Sequence, residues 1–212
     1  MSRKLRDYLK LYFITDRSFG HTHEELAEMA LRAGVRTIQF REKKMATKMM
    51  VETARNIKKL TEDYGAIFIV NDRVDVALAS YADGVHVGQE DMPAPLVREI
   101  AGDVIVGVSV SNVEEAVRAE LDRADYLGAG PVFSTRTKED AGDAIGLEGL
   151  REIIKAVKIP VVAIGGISHH NAFETMQTGC AGIAVISAIA ADNNPELKAR
   201  QLLEIVLKVS QA

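Results

Sequence analysis

Along the 212-residue chain, apolar runs of strand length alternate with stretches in which apolar residues return every three or four positions. The runs are LYFIT (11–15), TIQFR (37–41), AIFIV (66–70), GVHV (84–87), VIVGVS (104–109), ADYLGA (124–129), PVVAIG (160–165) and GIAVI (182–186). The helical stretches cover 24–34, 47–65, 74–81, 94–101, 113–123, 147–157, 170–179 and 195–212. Strict strand-then-helix alternation predicts parallel strands joined by crossover helices, and eight such units are the number that closes a cylinder. The expected fold is α/β: a (β/α)8 TIM barrel, one domain over residues 1–212. A doubly wound sheet is the alternative, but LYFITDRSFG lacks the Gly-rich turn such a fold usually carries after its first strand. Gly34, Gly65 and Gly179 each follow a helical run, where a C-terminal cap wants positive φ.

Composition narrows the function classes. With 47% apolar and 26% charged residues the chain reads as globular, and a net charge of -4 provides no basic field to gather nucleic acid. No apolar run approaches the ~20 residues of a membrane span, and the N-terminal MSRKLRDYLKLYF lacks the apolar core of a secretory signal. Cys180 is the single cysteine, set in the apolar TGCAGIAV, which suits a buried inert thiol. The expectation is a cytoplasmic protein acting on small molecules, with no nucleic-acid or membrane partner.

Parallel strands in a barrel all end on one rim, where active sites of this fold are built. Asp72 follows the third strand and Asp91 the fourth, so their carboxylates can converge. Adjacent like charges need a cation between them, and Mg²⁺, a hard ion that accepts one or two carboxylates plus phosphate oxygens, is the natural candidate. The competing reading makes each aspartate an ordinary cap for the helix that follows. In TIQFREK, Gln39, Arg41 and Lys43 are spaced by two and leave one face of the second strand, opposite Ile38 and Phe40. Directed into the mouth, they suit a diphosphate; alternatively Arg41 and Lys43 pair internally with Asp72 or Glu42.

Gly165 and Gly166 after the seventh strand, with Ile186 and Ser187 after the eighth, occupy the loops that in this fold commonly cup a phosphate, although a Gly-Gly turn also serves plain geometry. The long polar connection GAGPVFSTRTKEDAGDAIG (128–146) brings Thr135, Thr137 and Lys138 and reads as a lid or as a solvated surface loop. Asn71 and Ser109 add hydrogen-bonding groups at the ends of strands three and five. His86, alternating with Val85 and Val87, reads as a satisfied structural histidine, and no Ser-His-Asp arrangement stands in supporting context. No nucleophile or strong base is nominated. A metal, cations for a diphosphate and a separate phosphate cup together imply two anionic substrates and a diphosphate leaving group.

The ordered motifs IQFREK, NDRVDVALASYADGVHVGQED, GVSVS, GPVFSTRTKEDA, GLEGLREI, PVVAIGGI and GIAVISAI resemble the thiamine phosphate synthase family from about Tyr12 to Ala188. That resemblance implies a barrel joining an aminopyrimidine methyl diphosphate to a thiazole phosphate, with release of pyrophosphate. It implies that Gln39, Arg41, Lys43, Asn71, Ser109 and Lys138 hold the pyrimidine diphosphate, that Asp72 and Asp91 bind Mg²⁺, and that Thr135, Thr137, Gly166, Ile186 and Ser187 hold the thiazole phosphate. Two positions depart from the family: Ser134 where relatives often have proline, which loosens the lid, and Ser111 where many have histidine. The sister thiazole tautomerases resemble an enzyme that uses that histidine and lacks the two aspartates, so the synthase is the favoured reading. The rivals are a non-catalytic sensor of thiazole phosphate and a phosphosugar isomerase or epimerase, which needs a placed acid or base.

Overall fold

The structure, a computed structural model, describes residues 2–135 and 142–210. Eight strands, β1 (Leu11–Thr15), β2 (Thr37–Phe40), β3 (Ile67–Asn71), β4 (Gly84–Val87), β5 (Ile105–Val110), β6 (Tyr126–Ala129), β7 (Val161–Ile164) and β8 (Gly182–Val185), pair in sequence order as a closed parallel barrel. The closing pair, β1 with β8, aligns Leu11 with Ile183 and Phe13 with Val185. Around it run the helices α1 (Ser2–Tyr8), α2 (His23–Arg32), α3 (Thr47–Asp63), α4 (Val74–Ala79), α5 (Ala94–Ala101), α6 (Val113–Leu121), α7 (Gly146–Ala156), α8 (Ala172–Met176), α9 (Ser187–Ala190) and α10 (Pro195–Ser210). No helix among the described residues is long and apolar enough to cross a membrane.

Strand alternation divides the apolar residues between two cores. Outward-facing positions such as Phe13, Ile38, Phe40, Phe68 and Val70 pack against the helices, while Tyr12, Ile14, Ile69, Tyr126, Val162 and Ala184 cluster inside the cylinder. Burial on both faces explains why these strands read as nearly continuous apolar runs. Cys180 is buried in the outer core, and burial pushes its thiol up from the usual value.

Three helical pieces go beyond the sequence reading. Helix α1 was not expected; it carries Leu5, which with Leu9 joins Tyr12 and Ile69 in the inner cluster, against Ile67 and Ile105 at the first positions of their strands. The N-terminal end of the cylinder is thus stoppered by the chain's own start. A 3-10 turn at Arg17–Phe19 is capped by the Asp16 side chain, and α9 opens directly behind β8. The stretches read as helices over 74–81 and 170–179 are shorter, Val74–Ala79 and Ala172–Met176. Tyr81 turns to φ 57 just past the first, and Gly179 ends the second region at φ 90. Gly34 and Gly65 also take the positive φ expected of them, 98 and 60.

The stopper demands glycine where β8 begins. A Cβ on Gly182 would lie 1.9 Å from the Leu9 carbonyl oxygen, so backbone must move to admit one. Gly182→Ala is expected to cost roughly 3 kcal/mol, the upper range for an overpacked core. Urea denaturation measures it, and an unchanged midpoint would contradict the tight seat.

Candidate active site

The C-terminal ends of the strands surround a cavity of about 800 Å³. Gln39, Arg41, Lys43, Asn71, Asp72, Asp91, Ser109, Thr135, Gly166, Ile186 and Ser187 all line it. Thr137 and Lys138 lie outside the described residues.

The two-residue spacing after β2 does what strand geometry requires. Ile38 and Phe40 enter the outer core, and the opposite face delivers Gln39, Arg41 and Lys43 to the cavity at increasing height. Gln39 is buried, its Nε2 donating to Tyr12 Oη at 2.7 Å. Arg41 Nη1 stands 3.8 Å from Asp16 Oδ2, a loose ion pair that sequence reading missed. Lys43 Nζ is 2.5 Å from Asp72 Oδ2 with half its side chain exposed, so the internal pairing considered from sequence does form for Lys43. Such an exposed pair is worth about 0–1 kcal/mol, weak enough for an arriving ligand to exchange it. Glu42 serves neither cation; it binds Arg17 at 2.7 Å and His23 at 3.4 Å.

Asp72 and Asp91 face one another across the β3 and β4 ends, and neither acts as a helix cap. The cap positions of α4 and α5 are Arg73 and Pro93, and neither makes a side-chain cap hydrogen bond. Asp72 sits in the left-handed region at φ 59, a conformation that costs a non-glycine residue ~1–2 kcal/mol and is over-represented at functional sites. Its backbone N–H extends the β3–β4 ladder to the His86 carbonyl at 2.8 Å, which pins the carboxylate at the rim. Asp91 Oδ2 accepts from the Gly88 N–H at 2.7 Å. Burial, and next the facing Asp72 carboxylate, raise the Asp91 pKa above its ordinary value, while Gly88 and Lys43 pull the other way.

That electrostatic tension tests whether the pair fits a divalent cation. Two hard oxygen donors held close enough to raise the proton affinity of Asp91, with open cavity beside them, match the needs of Mg²⁺. Among the described residues no group of three or more His, Cys, Asp or Glu that could hold a metal ion gathers, so a cation here would draw its remaining oxygens from water and ligand.

Across the mouth, Gly165 and Gly166 hold φ 96 and 65. A Cβ on either would meet the segment after β6, at 2.5 Å from Pro131 Cβ or 2.7 Å from Phe133 Cβ, so both freedom and smallness are required. Ile186 and Ser187 line the same side, at the start of α9. His86 is satisfied as expected, with Nδ1 3.0 Å from Tyr126 Oη and Nε2 2.9 Å from Ser109 Oγ. The tyrosines Tyr12 and Tyr126, which sequence reading passed over, form the cavity floor. Their signal was the strand face: Tyr12 is two residues from inward Ile14, and Tyr126 two from inward Gly128.

The chain matches the family model described as "Thiamine monophosphate synthase" over residues 11–189. The thiamine-phosphate synthase of Archaeoglobus fulgidus is 65% identical over 206 residues, 97% of each chain. That of Pyrococcus furiosus is 52% identical over 97% of this chain and 98% of its own. Among solved structures, thiamine phosphate pyrophosphorylase from Pyrococcus furiosus superposes with a TM-score of 0.92 at 50% identity, covering 97% of this chain and 98% of that one.

The carboxylate pair makes a titration testable. Because the folded pKa of Asp91 is raised, its contribution to stability is present below the unfolded pKa and is lost as pH rises through the folded one. Asp72→Asn removes the facing charge while keeping a residue that tolerates left-handed φ. The Asp91 carboxyl should then titrate lower in a ¹³C NMR experiment, with less loss of stability over that pH window; an unshifted Asp91 would assign the whole effect to burial.

Proposed function

The chain belongs to the thiamine monophosphate synthase family and is a transferase of thiamine biosynthesis, and on that footing we propose the substrates, ion and residue roles at its mouth. The substrates are 4-amino-2-methyl-5-pyrimidinylmethyl diphosphate and 4-methyl-5-(2-phosphoethyl)thiazole; the products are thiamine phosphate and pyrophosphate. The single observation that carries this reading is the convergence of Arg41, Lys43, Asp72 and Asp91 on one cavity with a glycine-built second pole at Gly165 and Gly166. We also place the reaction in the cytoplasm, in keeping with a lone, buried Cys180.

Gln39, Asn71 and Ser109 bind the pyrimidine end, and Arg41 and Lys43 its diphosphate, joined by Lys138 from outside the described residues. Thr135, Gly166, Ile186 and Ser187 bind the thiazole phosphate, together with Thr137. Asp72 and Asp91 would hold Mg²⁺, which supplies Lewis-acid stabilisation of diphosphate oxygens. The bond from the pyrimidine methylene carbon to the diphosphate oxygen breaks first, its electron pair leaving with the diphosphate. Arg41 and Lys43 meet that growing charge in place, which is where fixed cations contribute most. The electron-rich aminopyrimidine carries the cation, and the thiazole nitrogen lone pair then forms the new C–N bond. No proton has to move in this scheme, so it calls for no general base. Seating both rings in one cavity supplies the proximity contribution.

Purified protein given both substrates and Mg²⁺ should release pyrophosphate and thiamine phosphate only when all three are present; product without the diphosphate substrate or the ion would refute the scheme. Asp72→Ala should lower kcat on the order of 10²–10³-fold, the usual effect of removing one electrostatic stabiliser. A near-normal rate at saturating Mg²⁺ would remove Asp72 from the role. Arg41→Ala should act chiefly on use of the diphosphate substrate, and unchanged steady-state constants would exclude its assignment.

A further inference from the structure

Five side chains form an unbroken hydrogen-bonded row across the barrel interior. Gln39 Nε2 donates to Tyr12 Oη at 2.7 Å, Tyr12 Oη meets Tyr126 Oη at 2.8 Å, Tyr126 Oη meets His86 Nδ1 at 3.0 Å, and His86 Nε2 meets Ser109 Oγ at 2.9 Å. Its two ends, Gln39 and Ser109, line the cavity from strands β2 and β5. Its middle is shut away from solvent, with Tyr12 2% and Tyr126 0% exposed.

Counting donors gives the row a direction. A tyrosine hydroxyl has one proton to give and a neutral imidazole has one N–H. With Gln39 donating to Tyr12, and with each proton kept within the row, the Tyr12 proton goes to Tyr126, the Tyr126 proton to His86 Nδ1, and the His86 proton sits on Nε2 and points at Ser109 Oγ. Ser109 accepts from within and has its own proton left for the mouth, while Gln39, with Nε2 engaged, has Oε1 left to accept there. As long as each proton stays within the row, reversing one member reverses the others. Burial raises both tyrosine pKa values well above the ordinary, so the hydroxyls remain donors across the working pH range.

Two glycines make room for the row. A Cβ on Gly107 would come within 2.2 Å of Tyr126 Cζ and 2.4 Å of His86 Nδ1, and one on Gly128 within 3.0 Å of His86 Cε1. The strands thus hold both rings where a side chain would otherwise stand, and no buried side-chain nitrogen or oxygen among the described residues lacks a partner.

We propose that Tyr12, Tyr126 and His86 are positioning residues whose directional hydrogen bonds fix Gln39 as an acceptor and Ser109 as a donor toward the substrate's pyrimidine ring. This rests on the reading given under Proposed function. An aminopyrimidine offers an exocyclic amine that donates and ring nitrogens that accept, so it needs one protein acceptor and one protein donor, which the inferred direction provides. The reversed direction would offer a second N–H to the amine and a lone pair to a ring nitrogen. Recognition at the mouth is therefore set from the sealed floor, by residues that do not touch the diphosphate.

The test combines a spectroscopic and a kinetic readout. In protein with ¹⁵N-labelled histidine rings, the His86 signals, identified by their loss in His86→Gln, should show the Nε2–H tautomer with Nδ1 bare. Tyr126→Phe removes the proton given to Nδ1, and should produce averaging between tautomers. The same variant should raise KM for the pyrimidine diphosphate roughly tenfold, the effect of about one misplaced hydrogen bond, with a much smaller change in KM for the thiazole phosphate. Tyr12→Phe should give the same split by freeing the Gln39 amide; thermal melts confirm that both variants fold. A His86 proton on Nδ1 in the parent protein, or folded phenylalanine variants with equal change in both KM values or none, overturns the proposal. If the parent protein forms no product at all, the synthase reading fails instead, and the tautomer alone then decides the direction of the row.

Discussion

Two tyrosine hydroxyls meeting at 2.8 Å inside the cylinder divide its interior in two. Toward the strand N-termini lie Leu5, Leu9 and Ile69, an apolar plug; toward the C-termini lie Gln39, His86 and Ser109, a polar mouth. Each hydroxyl also has a second partner, Gln39 for Tyr12 and His86 for Tyr126, so the contact joins two satisfied pairs into one row and contributes about 1 kcal/mol, the net worth of a hydrogen bond. The contact ties β1 to β6 across the lumen, and the side chains above it stand on a hydrogen-bonded floor. Precision at the rim follows, because groups carried by strands are placed more firmly than groups carried by loops.

On that floor the charges are arranged against their own comfort. Asp72 is held in a backbone conformation that disfavours it, and Asp91 faces it closely enough for its proton affinity to rise. Lys43 offsets part of the repulsion through an exposed pair that is easily exchanged. Arg41 reaches Asp16 only at 3.8 Å. A pocket whose anions crowd together and whose cations are loosely engaged suits a ligand that brings both a divalent ion and phosphate oxygens. The strain is local and the core bears its cost, as the two apolar clusters around the strands allow.

How much of this could be read from sequence depends on the length over which each signal repeats. The barrel was legible because eight strand-and-helix units repeat one pattern, and the roles of Ile38 and Phe40 against Gln39, Arg41 and Lys43 follow from the two-residue period alone. The positions of Asp72 and Asp91 were legible because a strand end is a place on the rim. Helices α1 and α9 were missed because 7 and 4 residues do not establish a helical period. The Arg41–Asp16 contact and the row from Gln39 to Ser109 were missed for another reason. Alternation tells which face a residue takes, but not which inward-facing residue meets it across the lumen; Tyr12 and Tyr126 are 114 positions apart. Thr137 and Lys138 lie outside the described residues, so their expected part in the site rests on the family resemblance.

The central claim is that one rim gathers a divalent ion and positive side chains around a departing diphosphate. The most direct measurement is a crystal of the protein grown with Mn²⁺ and pyrophosphate, with the ion located by its anomalous scattering. The account expects the ion between the Asp72 and Asp91 carboxylates and pyrophosphate reaching Arg41 and Lys43. An ion bound elsewhere, or pyrophosphate seated away from these four residues, would contradict it.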